Sequence, residues 1–220
     1  FWENIMTKEL KKRIITSTVL IAIVINCLFI SNNSWAVLLL VISLICWLEF
    51  INLARRIWRS KTIIILSTLI FFTLLCLFLY SAYRIKIDEG EKTILFILLV
   101  CIFSDIGGYV VGKSIGGKKL TKISPKKTVS GSIGSFLFSL FPLGILMLLG
   151  LDENFFERMV FSCLLISLAC QLGDLIISYF KRLAKVKDTG KILPGHGGML
   201  DRIDGIIFAI PSTLILQLLP

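Results

Sequence analysis

The sequence has little of what a soluble domain or a metal-rich protein needs. Only 17% of its residues are charged, and histidine occurs once. The six cysteines form no CxxC pair and have no neighbouring histidine, so neither a disulfide framework nor a zinc site is indicated, and they serve as small apolar side chains. Hydrophobic residues, by contrast, make up 56% of the chain, more than a single soluble core of this size requires. The composition therefore indicates a membrane protein.

Seven apolar runs approach the length of about 20 residues that a helix needs to cross a bilayer. Because lipid cannot hydrogen-bond the backbone, and because the runs lack the alternation of a β-barrel, the sequence predicts an all-α, polytopic transmembrane helical bundle. We expect about seven spans, at residues 14–30, 34–53, 62–83, 93–111, 130–150, 159–179 and 205–219. No small-residue cleavage site follows the first run, so we expect that span to be retained.

Basic residues alternate between the connections in a way that predicts an orientation. Most of the 24 Lys and Arg residues lie before the first run and in the connections that follow the second, fourth and sixth runs. Since cytoplasmic loops carry an excess of Lys and Arg, we expect a cytoplasmic N-terminus and two long cytoplasmic loops. This distribution explains the net charge of +10 without nucleic-acid binding.

The polar segment 171–205 holds the strongest signal. Asp174 lies near the cytoplasmic end of the sixth run, and Asp201 lies where the chain re-enters the membrane. Carboxylates in such places are costly unless they are paired, solvated or bound to a cation. If the fold brings the two acids together, they form a pair suited to Mg²⁺ beside substrate phosphates. The alternative is that they only pair with nearby basic side chains: Lys181, Arg182 and Arg202.

Between these acids lies a turn, Pro194 to Gly198, whose glycines allow positive φ angles and close approach of the backbone to an anion. His196 is the only histidine of the chain. Its place between glycines favours a role as a phosphate donor or positioning group over a packing role.

A second polar segment, 104–131, contains Asp105 and then hydroxyl and lysine side chains suited to a triphosphate: Ser124, Lys126, Lys127 and Thr128. It is not a Walker A loop, because the GxxxxGK[ST] spacing is absent. The alternative is a basic cytoplasmic loop with a proline turn.

Glu49 is a further acid within an apolar run. We favour a structural role for it, through a hydrogen bond or through a pair with Arg55 or Arg56.

The segment SYFKRLAKVKDTGKILPGHGGMLDRID resembles the signature of the phosphatidate cytidylyltransferases, also called CDP-diacylglycerol synthases. The pattern joins a serine, a KR pair, a KD pair, a PGHGG turn and a DRxD ending. The SDIGGY and SPKKT segments are also similar to segments of that family. One position departs from the pattern, because Ile177 stands where many relatives have a glutamate.

The resemblance implies a single integral-membrane catalytic domain over residues 1–220, with CTP and phosphatidate as substrates. It implies that Asp174 and Asp201 hold Mg²⁺, with K⁺ as a further ion that could share the site. The implied catalytic side chains are completed by Lys181, Arg182, His196 and Arg202. The implied substrate-binding residues are Asp105, Ser124, Lys126, Lys127, Thr128, Lys187, Asp188, Gly197, Gly198 and Asp204.

These expectations place the protein in the bilayer of a bacterial inner membrane, with its active site facing the cytoplasm and without a nucleic-acid partner. The oligomeric state, a homodimer included, stays open. A transporter of phosphorylated metabolites is the alternative, although no internal repeat is evident and the polar residues favour one membrane face. The motif of the CDP-alcohol phosphatidyltransferases, which consume CDP-diacylglycerol, cannot be placed in this sequence.

Overall fold

The computed structural model describes residues 2–121, 124, 126–148 and 156–217. Within these ranges the regular structure is helical, apart from two isolated bridges that pair Lys119 with Thr128 and Leu193 with Gly197. The helices are α1 (Trp2–Ile30), α2 (Asn32–Ile57), α3 (Lys61–Asp88), α4 (Glu91–Ile115), α5 (Val129–Ser139), α6 (Phe141–Leu148), α7 (Phe156–Leu183), α8 (Leu200–Ile203) and α9 (Ile206–Gln217). The all-α prediction is confirmed.

Five of the described helices, α1, α2, α3, α4 and α7, are long and apolar enough to cross a bilayer. The other two predicted spans coincide with shorter apolar helices. The chain is thus a polytopic helical membrane protein, whereas the count of seven spans and the cytoplasmic N-terminus stay predictions.

The run predicted as one span at 130–150 forms two helices, α5 and α6, which are separated at Leu140. Pro142 explains the interruption, because its ring nitrogen has no hydrogen to donate to a carbonyl one turn earlier. The backbone of Leu140 stays in the helical region, so the interruption is a local break in the helical hydrogen bonds, and the single span stays a prediction. Residues 149 and 150 of the predicted span lie outside the described residues.

The chain divides into two compact units, of which the first comprises residues 1–83 and 180–203. In this unit α2 contacts both α1 and α8. Trp35 donates a hydrogen bond from its indole nitrogen to the carbonyl of Ala82 at 3.1 Å. One face of α2 is buried: Trp35, Leu39, Ser43, Cys46, Glu49, Phe50, Leu53 and Ala54. A carboxylate on this otherwise mostly apolar face requires hydrogen-bond donors.

The second unit comprises residues 84–179 and 204–220, and in it α4 packs against α5, α6 and α9. Glycines let α4 and α5 approach closely, as small residues commonly do between membrane helices. A Cβ atom on Gly131 would lie 2.8 Å from the carbonyl oxygen of Gly108 and 3.3 Å from the Cα atom of Gly112. Backbone atoms of the two helices therefore occupy the space that a side chain would need.

Gly131→Val is expected to lower the free energy of unfolding by about 1–3 kcal/mol, because the added methyl groups would force α4 and α5 apart. Thermal unfolding in detergent, followed by circular dichroism, measures this loss. Gly144→Val is the matched control, since a Cβ atom at Gly144 would meet no atom within 4 Å. Equal stability of the two variants would contradict the close packing.

Candidate active site

Asp201 is held by the polar loop that connects α7 to α8. Its side chain is 5% exposed, and its Oδ1 atom accepts a hydrogen bond from the Lys181 ammonium at 2.8 Å. The Oδ2 atom faces the backbone N–H of Thr189 at 2.7 Å, the hydroxyl of Thr189 at 3.0 Å and the backbone N–H of Gly198 at 3.0 Å. The pairing with Lys181, which sequence reasoning left as an alternative, is thus present.

The pKa of Asp201 lies below its usual range. Burial alone would raise this pKa, but the hydrogen bond from Lys181 and the backbone N–H groups of Gly198 and Thr189 favour the ionised form more strongly. The carboxylate therefore stays charged at neutral pH. Because the folded-state pKa is lowered, its contribution to stability is lost only as the pH falls through that pKa.

Glu49 binds the same loop from α2. Its side chain is buried, with 3% of the residue exposed. The carboxylate accepts hydrogen bonds from the N–H groups of Met199 at 3.0 Å and Leu200 at 2.9 Å, and from the hydroxyl of Thr189 at 2.8 Å. The predicted structural hydrogen bond is confirmed. Glu49 makes no ion pair with Arg55 or Arg56, and its described partners lie in the loop and at the first residue of α8.

The predicted glycine turn is confirmed. Gly195 and Gly197 have φ angles of 77° and 87°. The N–H of Leu193 donates to the carbonyl of Gly197 at 2.9 Å. Arg202 donates from Nε and Nη2 to the carbonyl of His196 at 3.2 and 2.7 Å. The turn therefore depends on both positive φ angles and a guanidinium clamp.

Helix α1 contacts this turn, which the sequence did not predict. The hydroxyl of Ser17 lies 3.1 Å from Nε2 of His196. The hydroxyl of Thr16 lies 2.8 Å from the carbonyl oxygen of Lys12 and 3.1 Å from that of Pro194. The only sequence signal was a pair of adjacent hydroxyl residues directly after the basic start of the chain. This signal does not identify the distant partner, because the contacts join residues 178 and 179 positions apart.

The pKa of His196 is lowered. Burial disfavours the charged imidazolium, and the positive charge of Arg202 acts in the same direction. The imidazole is therefore predominantly neutral at neutral pH, with one ring nitrogen able to donate and the other able to accept.

Two cavities border the loop within the first unit. The signature cavity, of about 550 Å³, lies beside the glycine turn and is lined by Arg13, Lys187, Asp188, Gly190, Lys191, Leu193, Pro194, Gly195, His196, Gly197 and Arg202. The α2 cavity, of about 650 Å³, is lined by Asn52, Leu53, Arg55, Arg56 and residues 186–191. Both volumes fall in the range of small-molecule sites, and both linings are rich in cationic side chains, a combination suited to anions.

Asp174 lies in the second unit, on α7. Its Oδ1 atom accepts a hydrogen bond from the hydroxyl of Ser178 at 3.1 Å, and its Oδ2 atom forms an ion pair with Lys127. A Cβ atom on the neighbouring Gly173 would lie 2.5 Å from the carbonyl oxygen of Asp204. The predicted substrate-binding residue Lys127 is therefore at the predicted metal-binding acid.

The remaining predicted residues of segment 104–131 have local roles in the structure. Thr128 is the N-cap of α5, and its Oγ1 atom accepts the N–H of Gly131 at 3.0 Å. The carbonyl of Ser124 accepts the N–H of Lys127 at 3.0 Å. Asp105 lies 4.0 Å from the thiol of Cys170, and Lys126 is exposed. Their predicted contacts with the nucleotide stay predictions.

The other predicted residues lie near the end of α7, in the loop and directly after α8. Arg182 is exposed near the end of α7, and Lys187 and Asp188 are exposed where the loop borders both cavities. Asp204, at the start of the second unit's last segment, accepts the N–H of Gly205 at 3.0 Å. The roles predicted for these four residues stay predictions.

Each of the two predicted metal-binding acids has carboxylate oxygens, which are the ligands that Mg²⁺ prefers. Each is paired with an ammonium group, Lys127 at Asp174 and Lys181 at Asp201, so a bound ion would have to take the place of that group. The residues that the structure describes contain no group of three or more His, Cys, Asp or Glu side chains that could hold a metal ion. Asp174 and Asp201 belong to different units, so a shared ion stays a proposal.

Long apolar helices combined with a cationic loop and a buried, ion-paired aspartate define an integral membrane protein whose polar loop is suited to phosphate groups. The model of the cytidylyltransferase family matches residues 64–219. The chain belongs to this family, and the family resemblance of its signature segment is confirmed.

Three similar proteins have the name phosphatidate cytidylyltransferase. They come from Staphylococcus epidermidis, Staphylococcus aureus (strain COL) and Staphylococcus saprophyticus, and they are 44%, 45% and 43% identical to this chain over 131 residues. The matched segment is 59% of this chain and 50% of each relative. The chain thus spans about half the length of the curated relatives it matches.

Proposed function

We propose that the chain transfers the cytidylyl group of CTP to the phosphate of phosphatidate, with CDP-diacylglycerol and pyrophosphate as products. Membership of the cytidylyltransferase family and the names of the similar proteins support this reaction. The same match favours an enzyme over a transporter of phosphorylated metabolites.

The observation that carries the proposal is the set of cations around the signature cavity. Arg13, Lys187, Lys191 and Arg202 line it beside the neutral His196. Arg202 donates hydrogen bonds from Nε and Nη2 to the turn, and the N–H groups of its guanidinium that do not face the turn can donate to a phosphate. The cavity thus combines fixed charge with fixed hydrogen-bond donors, which favours a polyphosphate.

The reaction forms one P–O bond and breaks another. An oxygen of the lipid phosphate attacks the α-phosphorus of CTP, and pyrophosphate leaves with the electron pair of the bond between the α-phosphorus and the bridging oxygen. The attacking phosphate is already ionised, so the site needs no strong base. The main task of the protein is to hold two mutually repelling anions in line, and this is worth several kcal/mol of cationic stabilisation.

Individual residues contribute to that task in distinct ways. Lys181 is positioned by Asp201, and Lys127 by Asp174, so both ammonium groups have a fixed direction. His196 would donate one hydrogen bond to a phosphate oxygen from its neutral ring. Asp174 and Asp201 would hold Mg²⁺, with K⁺ as an additional ion. Mg²⁺ would supply Lewis-acid polarisation of the phosphate oxygens and charge neutralisation when it is bound.

We place the reaction at the cytoplasmic face of a bacterial inner membrane. The basic connections predict that face, and the similar proteins are bacterial. At this position the acyl chains of the lipid stay in the bilayer while its phosphate reaches the loop.

The test gives purified protein CTP labelled in its α-phosphate, phosphatidate in mixed micelles and Mg²⁺. The expected products are labelled CDP-diacylglycerol and an equal amount of pyrophosphate. Two matched controls use CTP labelled in the γ-phosphate, which should leave the lipid unlabelled, and diacylglycerol, which has no phosphate nucleophile. Absence of α-label in the lipid under these conditions would reject the proposed reaction.

A further inference from the structure

We propose that Glu49 is a positioning residue for Asp201: from α2 it fixes Thr189 and the residues that lead into α8, and thereby the direction in which the Asp201 carboxylate points. The inference rests on the proposed function only in treating Asp201 as a site residue. Glu49 precedes residues 64–219, the segment that the family model matches, so the family comparison assigns it no role.

The first observation is that all three hydrogen-bond donors to the Glu49 carboxylate come from residues 189–200. A carboxylate that is 97% removed from solvent is costly unless donors surround it. The three donors of Glu49 are two backbone N–H groups and one hydroxyl, all from residues 189–200. In the part of the chain that the structure describes, it forms no ion pair. An apolar side chain would fill this place in the core without any donors, so packing alone does not account for a carboxylate here.

The second observation is that every one of these donors is adjacent to Asp201 in sequence or in space. Met199 and Leu200 directly precede Asp201, so fixing their N–H groups fixes the backbone from which its side chain extends. Thr189 donates its backbone N–H to Asp201 at 2.7 Å. Its hydroxyl has a single hydrogen and lies closer to Glu49, at 2.8 Å, than to Asp201, at 3.0 Å. Thr189 therefore links the two carboxylates.

The third observation is the lack of free space around Glu49. A Cβ atom built on Gly198 would collide with both oxygens of Glu49 and with the hydroxyl of Thr189. One built on Gly190 would collide with the same carboxylate. The backbone at Gly190 and Gly198 thus lies directly against the carboxylate. Glu49 in turn fixes the two residues before Asp201 and Thr189, which contacts Asp201.

Loss of the Glu49 contacts should therefore affect the orientation of the Asp201 carboxylate more than the overall stability of the protein. Its Oδ2 atom is occupied by loop donors, whereas its Oδ1 atom faces one partner, the Lys181 ammonium. The Oδ1 atom is therefore the oxygen at which a bound cation would replace the Lys181 ammonium. If Glu49 no longer holds the loop, both oxygens lose their fixed directions.

The test compares wild type, Glu49→Gln and Cys46→Ala. Glutamine keeps the shape but offers one acceptor oxygen, so the N–H of Met199 or of Leu200 loses its partner. Cys46 is buried one turn earlier on the same face of α2, and it is not one of the three hydrogen-bond donors of Glu49. It controls for a general loss of stability.

Binding of Mn²⁺ alone, measured by electron paramagnetic resonance of the free ion, is the readout that does not depend on turnover. Groups that orient metal ligands typically change metal affinity or activity by about 10–100-fold when they are mutated. We expect Glu49→Gln to raise the Kd for Mn²⁺ by about tenfold or more, and to lower kcat by a similar factor with little change in the KM for CTP. Cys46→Ala should change neither quantity by more than about twofold.

Thr189 provides a second pair of variants that tests the same link should Glu49→Gln fail to fold. Thr189→Val keeps the backbone N–H but removes the hydroxyl, and should weaken Mn²⁺ binding in the same direction. Thr189→Ser restores the hydroxyl and should recover most of what Thr189→Val loses.

Equal Mn²⁺ affinity in wild type and Glu49→Gln would overturn the positioning role, and so would a wild type that does not bind Mn²⁺. If Glu49→Gln does not fold, equal affinities of Thr189→Val and Thr189→Ser would overturn it. A wild type that binds Mn²⁺ but forms no CDP-diacylglycerol would instead reject the proposed reaction and leave the Glu49 inference supported by the binding data.

Discussion

Asp201→Asn is expected to lower kcat by at least about 10²-fold, the size of effect seen when a group that stabilises transition-state charge is removed. Asparagine has one acceptor oxygen instead of two, and its amide group would face either the Lys181 ammonium or the N–H groups of Thr189 and Gly198. In either orientation a donor points at a donor. The measurement is the rate of α-label transfer from CTP to phosphatidate at saturating substrates.

The matched control is Asp88→Asn, since Asp88 also pairs with a basic residue, Arg84, at 2.8 Å, but 39% of its side chain is exposed, against 5% for Asp201. This variant should lose less than about twofold in kcat, because exposed ion pairs contribute little. Near-normal turnover in a folded Asp201→Asn protein would remove Asp201 from the proposed catalytic residues.

Asp174→Asn should reduce kcat by a comparable factor, at least about 10²-fold, for a different structural reason. Here the carboxylate lies on a long apolar helix, and it is the ion-pair partner of Lys127 and the acceptor of the Ser178 hydroxyl. The amide of asparagine removes the negative charge that a cation needs. The same label-transfer assay, repeated over a range of Mg²⁺ concentrations, should show a raised Mg²⁺ requirement.

A double-mutant cycle with Lys127→Met distinguishes this role from simple ion pairing. If Asp174 served only to pair with Lys127, the double variant would have the same kcat as Lys127→Met alone. We expect the double variant to have a lower kcat than Lys127→Met alone, because the acid also serves the proposed metal. Glu157→Gln, at an exposed acid in the first turn of the same helix, is the matched control and should leave kcat within about twofold.

Apolar length and composition were enough to predict most of the helices. Runs of about 20 apolar residues have no other hydrogen-bonded solution in lipid, so five predicted spans reappear as long helices. The break at Leu140 was not predicted, because hydropathy counts apolar side chains and ignores the missing N–H of Pro142. The α4–α5 glycine contact was missed for a related reason, since small residues affect hydropathy little but decide how closely helices pack.

The candidate site was predicted unevenly. The glycine turn at 194–198 was predictable because positive φ angles favour glycine, and the structure has them at Gly195 and Gly197. The partners of the loop were not predictable, because Ser17 and Glu49 reach it through contacts that leave no local pattern. For Glu49 the sequence signal was the cost of an acid on an apolar helix. That cost predicts that donors exist but not which residues supply them.

The contacts between α1 and the glycine turn also set an order of events during biosynthesis. Ser17 precedes His196 by 179 residues, so the nascent chain must keep α1 available until the turn has been made. Contacts of such long sequence separation form late, after the entropy of closing a long loop has been overcome. A ribosome stalled before residue 190 would therefore hold a chain in which α1 has been made but the turn that it contacts has not.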